Sequence, residues 1–143
     1  MDGEGGEDVI SEAGYDDTIA WYENDGSENF TARIITTTAD LARSVTTADV
    51  DGDGDLDVLS ASETDNTIAW YENDGSENFT LHEISTAETA AESIDAADMD
   101  GDGDIDLAVA ARLGNSITWY ANDGRGNLSA HILIAGGNAR GAA

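Results

Sequence analysis

The sequence predicts an all-β architecture of the propeller type, built from three repeated units of four short strands. Three observations carry this reading. The stretch TIAWYENDGSENFT stands at Thr18–Thr31 and again, letter for letter, at Thr67–Thr80, with a looser copy, SITWYANDGRGNLS, at Ser116–Ser129. Trp21, Trp70 and Trp119 mark a period of 49 residues. Within each period, short alternating segments are separated by turn-forming residues, and four strands in a repeat of this length is the arithmetic of a propeller blade. Fourteen identical residues in a row mean recent duplication or deliberate assembly, not coincidence.

The middle unit shows each element in order. SVTTA (Ser44–Ala48) reads as the first strand and leads into an acidic loop, and DVLSAS (Asp57–Ser62) follows it. ETDN makes a turn, TIAWYE (Thr67–Glu72) alternates in β fashion, NDGSEN is a glycine-containing hairpin turn, and FTLHEI (Phe79–Ile84) closes the unit. TAETAAESI (Thr86–Ile94) has helical propensity, but its repeat partner TTADLARSV (Thr37–Val45) is rich in Thr and has not. Both are therefore read as a connection followed by an inner strand. The units run over about 2–50, 51–99 and 100–143, within a single repeat domain spanning 1–143 that is long enough to bury a core.

Composition removes several functions. There is no Cys and no Pro, so neither a disulfide framework nor a Cys-based zinc site is available. No apolar run approaches the 18 or so residues of a membrane-spanning helix, and the acidic start MDGEGGED is unlike a signal peptide, so an export signal is expected to have been removed. Thirty-one acids face five bases, all arginine, for a net charge of −26. That balance repels nucleic acid phosphate and anionic lipid, so neither is expected as a partner. It also opposes compaction unless salt or bound cations intervene, which suits a saline or calcium-containing medium.

The acids are not scattered. DVDGDGDLD (Asp49–Asp57) puts five aspartates into nine residues, and DMDGDGDID (Asp98–Asp106) repeats this 49 residues on. Asp49, Asp51, Asp53 and Asp57 follow the spacing D-x-D-x-D-G-x-x-D, in which side chains on a tightly turned backbone converge on one point, with Gly54 permitting the turn. Asp55 is expected to offer its backbone carbonyl. Such a set of hard oxygens is what Ca²⁺ requires, and a cation at the centre relieves the mutual repulsion. Asp98, Asp100, Asp102, Asp104 and Asp106, with Gly103, repeat the pattern. An EF-hand is excluded, because its twelfth position needs Glu and here holds Ser60 or Val109, and because the flanks read as strands.

The segments TTADVDGDGDLDVLSAS and AADMDGDGDIDLAVAA, each followed by TIAWYEN or SITWYAN, resemble the FG-GAP or VCBS-type repeats of integrin-alpha-like propellers and of many secreted microbial proteins. The resemblance implies calcium held in the loop between the first and second strands of a blade, through positions 1, 3, 5 and 9 and the carbonyl at 7. Those roles fall on Asp49, Asp51, Asp53, Asp57 and the carbonyl of Asp55, and on Asp98, Asp100, Asp102, Asp106 and the carbonyl of Asp104. The first unit departs from the pattern: Asp2, Glu4 and Asp8 take positions 3, 5 and 9, Gly6 takes position 7, and position 1 lies before the start. Glu4 is also a methylene longer than Asp, so this site is expected to be weak or empty.

Other residues receive plainer readings. Alternation sends Trp70 towards one neighbouring blade and Tyr71 towards the other, as packing residues rather than sugar platforms. His82 and His131 share a repeat position with Arg33 and are expected to face solvent, not a metal. No G-x-S-x-G, H-E-x-x-H or phosphate-binding loop occurs, and catalysis is not expected. The expected function is a non-catalytic, calcium-binding module for extracellular or cell-surface binding or adhesion, with a protein or glycan ligand. Two alternatives remain: a lectin-like carbohydrate-binding propeller, and a fragment or engineered repeat chain that self-assembles without a ligand. Three blades leave open faces, so a homo-oligomer is expected, a dimer with six blades ahead of a trimer with nine. The first blade lacks an inner strand, and ARGAA (Ala139–Ala143) resembles the ARSVT (Ala42–Thr46) that begins that strand elsewhere. The tail of one subunit is thus expected to complete the first blade of the next.

Overall fold

A computed structural model describes residues 5–135. They form eleven strands: β1 (Val9–Ala13), β2 (Thr18–Asn24), β3 (Phe30–Thr36), β4 (Ala42–Ala48), β5 (Asp57–Ser62), β6 (Ile68–Asn73), β7 (Phe79–Ser85), β8 (Ala91–Ala97), β9 (Asp106–Ala111), β10 (Ser116–Asn122) and β11 (Leu128–Ala135). No helix long and apolar enough to cross a membrane occurs among the described residues. The strands make three antiparallel sheets in the orders β1-β2-β3, β4-β5-β6-β7 and β8-β9-β10-β11. Four strands per unit therefore holds for the second and third sheets but not the first. The residues ahead of β1, Gly5–Asp8, are bend and coil, and supply no inner strand.

The strand periodicity explains how the sheets stack. Leu59 lies opposite Trp70 and Val58 opposite Tyr71 in the β5–β6 pairing, so successive residues bury on opposite faces. Leu59, Ala61, Ile68 and Trp70 pack against Ile94, Leu107, Val109 and Tyr120 of the third sheet. Val58, Ala69 and Tyr71 pack against Ile19, with Ile10 and Ile35 of the first sheet beside them. β5 and β9 are buried along their whole length, which is why DVLSAS and DLAVAA carry small and apolar residues on both faces. Full burial of a Leu or Ile here is worth about 1.5–3 kcal/mol. Polar stitches add register between sheets: the Ile94 amide donates to Ser44 Oγ at 3.3 Å, and Arg112 Nη2 lies 2.6 Å from Glu63 Oε1.

The segment Thr86–Ile94 is a connection followed by a strand, as its repeat partner demands. Ala91–Ala97 pairs along β9, and long-range pairing outweighs the helical propensity of its alanines and glutamates. Both connections are tied to the preceding sheet: the Leu41 amide donates to Asp17 Oδ1 at 3.1 Å and the Ala90 amide to Asn66 Oδ1 at 2.9 Å.

Candidate metal centres

The acidic loops join β4 to β5 and β8 to β9, and their own side chains shape them. Asp49 accepts backbone N–H bonds from Gly52, Asp53 and Gly54 at 2.8, 3.1 and 3.0 Å, and Asp51 Oδ1 and Asp53 Oδ1 accept from Asp53 N and Asp55 N at 3.2 and 2.9 Å. In the second loop Asp98 accepts from Gly101 and Gly103, Asp100 from Asp102, and Asp102 from Asp104. Each aspartate thus turns the backbone that carries the next one. Gly54 and Gly103 both sit at φ 99°, a left-handed conformation that side chains rarely adopt, so the turn does depend on glycine there.

Asp57 and Asp106 anchor the loops from below and are fully buried. Asp57 Oδ2 accepts from the Val50 amide at 3.0 Å and Oδ1 from the Asn73 amide at 2.8 Å. Asp106 likewise accepts from the Met99 amide at 3.1 Å and the Asn122 amide at 2.9 Å. These bonds favour the carboxylate, but removal from water outweighs them and pushes the Asp57 carboxyl above its ordinary range. Loss of solvent first, then neighbouring acids, also raises Asp51; Asp100 and Asp104 are raised in the same way.

Carboxylate oxygens of Asp49, Asp51 and Asp57 lie within 4.8 Å of one another, and so do those of Asp98, Asp100 and Asp106. Two oxygens each about 2.4 Å from one Ca²⁺ stand at most about 4.8 Å apart, so each trio fits a shared ion of that size and hardness. Asp53 and Asp102 stand outside the trios, with one oxygen engaged by the amide two residues on. Asp55 and Asp104 place their carboxylates beside the hairpin glycines Gly75 and Gly124. In the first loop Asp2 and Glu4 lie outside the described residues. Asp8 takes the anchoring role of Asp57, accepting from the Asn24 amide at 2.9 Å, and Gly6 donates to the Asn24 carbonyl at 3.1 Å.

The anchoring asparagines were not singled out from the sequence. Asn24, Asn73 and Asn122 end the central strand of each sheet and hold the preceding loop with both amide and side chain: Nδ2 donates to the carbonyls of Glu7, Leu56 and Ile105 at 3.3, 3.2 and 2.9 Å. The signal was present, since YEN, YEN and YAN keep the Asn in all three units.

The aromatic and histidine readings also find their places. Trp70 faces the third sheet and Tyr71 the first, both buried, which leaves neither ring free as a sugar platform. His82 is half-exposed, stacks on Trp70 at 4.5 Å, and places Nε2 2.5 Å from Glu72. His131 is exposed beside Trp119, and Arg33 pairs with Glu23 in the first sheet.

Stacked antiparallel sheets at a 49-residue period, two of them carrying an acidic oxygen-rich loop at their first turn, define an all-β repeat protein with candidate cation loops. The FG-GAP-like repeat matches the chain over residues 1–60 and again over 49–109, and the chain belongs to that family. Comparison with curated proteins finds no match.

Proposed function

We propose that this chain is a calcium-stabilised, non-catalytic propeller module that serves binding or adhesion outside the cell or at its surface. The observation that carries the calcium reading is the convergence of two equivalent carboxylate trios, each raised on a buried aspartate. Calcium would supply the positive charge that five crowded aspartates lack. Asp49, Asp51 and Asp57 would hold it in the second sheet and Asp98, Asp100 and Asp106 in the third, with the carbonyls of Asp55 and Asp104 as further oxygens. Asp53 and Asp102 turn the loops through backbone bonds, and the buried Glu88 is held in the core by the Tyr120 hydroxyl, which donates to it at 2.7 Å. Membership of the repeat family supports a propeller-type module, and the −26 charge suits a saline, calcium-containing medium.

Thermal unfolding in calcium, magnesium and chelator tests this reading. At about 100 times its dissociation constant, an ion that binds only the folded chain adds about 2.7 kcal/mol per site. A melting curve that chelator leaves unchanged at moderate salt would remove the calcium role.

A further inference from the structure

The two outer faces of the stack expose apolar residues whose repeat counterparts are buried between sheets. At the position where Val58 and Leu107 are fully buried against the preceding sheet, the first sheet has Val9, 50% exposed. Val9 faces Tyr22 in the β1–β2 pairing, just as Val58 faces Tyr71 and Leu107 faces Tyr120. Phe79 and Leu128 pack into the clusters between sheets, whereas their counterpart Phe30 is 52% exposed. The other end of the stack matches. Val50 is buried against the third sheet, and its counterpart Met99 is 40% exposed; Ile84 packs into the same cluster, and its counterpart Leu133 is 59% exposed. Trp70 is buried where Trp119 is only partly covered.

We propose that the face of the third sheet carrying Met99, Trp119 and Leu133 docks on the face of a second copy's first sheet carrying Val9, Tyr22 and Phe30, joining copies head to tail. The occupant is specified by the molecule itself. These two faces are the repeat equivalents of surfaces that already pack against each other twice within one chain, between the first and second sheets and between the second and third. Polar contacts carry over too. Asn122 Nδ2 reaches across a sheet boundary to the Val50 carbonyl at 2.7 Å, and the matching pair across copies is Asn24 with the Met99 carbonyl.

A groove of about 330 Å³, lined in part by Val9, Ile10, Thr47 and Leu56, runs beside β1 on the side where β5 and β9 have β4 and β8 as inner neighbours. Residues 37–41 lead from the outer strand of the first sheet to the inner strand of the second, and residues 86–90 do the same for the next pair. By the same order, the docking assigns the segment after β11 to the inner position of the sheet it meets. Under head-to-tail docking, that position is the groove of the second copy. Ala139–Ala143, which lies outside the described residues, resembles Ala42–Thr46 at the start of β4 and is the segment assigned to fill it. A head-to-tail contact closes into a ring or runs on as a filament. Two copies bring six sheets, within the usual four to eight of a propeller, and three bring nine.

Light scattering in calcium and about 1 M sodium chloride, where charge repulsion is screened, is the test. The expected result is twice the chain mass, unchanged by dilution; three times the chain mass supports the same contact in a nine-sheet ring. A single-chain mass with cooperative unfolding overturns the contact. Val9→Asp and Leu133→Asp each spoil one face at an exposed position, so each chain should fold and run at the single-chain mass. Mixed, they should form a one-to-one complex, because each keeps the face that the other lacks. Failure to associate on mixing, or Val9→Asp at the original mass, overturns head-to-tail docking. Removal of Ala139–Ala143 should lower the mass, and an unchanged mass would refute the role of the tail.

Discussion

Asn122 Nδ2 donates to the Val50 carbonyl at 2.7 Å, a bond between residues 72 apart that joins the third sheet to the acidic loop of the second. The same nitrogen donates to the Ile105 carbonyl at 2.9 Å, in the third sheet's own loop. One side chain therefore holds both candidate calcium loops. Asn122→Ala should leave buried carbonyls without a donor and cost about 1–3 kcal/mol of stability. It should also weaken calcium binding at both loops, whereas Asn73→Ala should affect only the loop that starts at Asp49. Denaturant unfolding paired with calcium titration of the two variants separates these outcomes, and equal effects on one loop would contradict the bridging role.

Two calcium ions per chain are expected at ordinary affinity, not three. Among the described residues, trios converge in the loops of the second and third sheets, and in the first unit Glu4, a methylene longer, stands at the repeat position of Asp53 and Asp102. Asp51→Ala should remove one ion and leave the other, because each loop gathers its own ligands. Calorimetric titration gives the count directly. Three equivalent sites in the unmodified chain would mean that the first loop is as competent as the others.

The strands, their order within each unit and the two-faced role of Trp70 and Tyr71 were legible because a period of two repeats every 49 residues. The Asp and Gly spacing likewise announced the loops. Two features were not legible. Asp57 and Asp106 were read as ligands like the rest, but their burial and paired amide bonds make them anchors as well, and burial is a property of the stacked sheets rather than of the loop. The double reach of Asn122 depends on two loops meeting across a sheet boundary, which no local pattern encodes.

Without calcium, stability should rise as pH falls from neutral towards about 4. Burial raises the Asp57 carboxyl, and loss of solvent raises Asp51, Asp100 and Asp104, so the folded chain holds these protons more tightly than the unfolded chain. Stability contributed in this way is present below the ordinary carboxyl value of about 3.9 and is lost as pH rises through the raised folded values. The hairpin residues Asp25, Asp74 and Asp123 act in the opposite sense. Side-chain bonds from Asn29, Asn78 and Asn127 lower their carboxyls, so their contribution exists above about 3.9 and fades as pH falls through the lowered values. Melting temperature in chelator should therefore pass through a maximum on the acid side of neutrality. A monotonic fall from pH 7 downward would show that Asp57, Asp51, Asp100 and Asp104 do not hold their protons more tightly in the folded chain.

Salt should stabilise the chain even when calcium is saturating. Two Ca²⁺ offset four charges, taking −26 to −22, so most of the repulsion remains after both loops are filled. Many acids outside the loops are exposed, among them Glu12, Glu28, Glu77 and Asp123, and only five arginines oppose them. Pairs such as Arg33–Glu23 are partly exposed and individually worth about 0–1 kcal/mol, too little to balance the excess. Sodium chloride shortens the screening length from about 10 Å at 0.1 M to about 3 Å at 1 M, which removes repulsion between turns on neighbouring sheets while leaving contacts within a loop intact. The melting temperature in saturating calcium should climb across that range. The same series run with choline chloride separates screening from any specific use of sodium by the loops, since screening depends on ionic strength alone. A flat or falling melting temperature would mean that the surface charge is already balanced in the folded state.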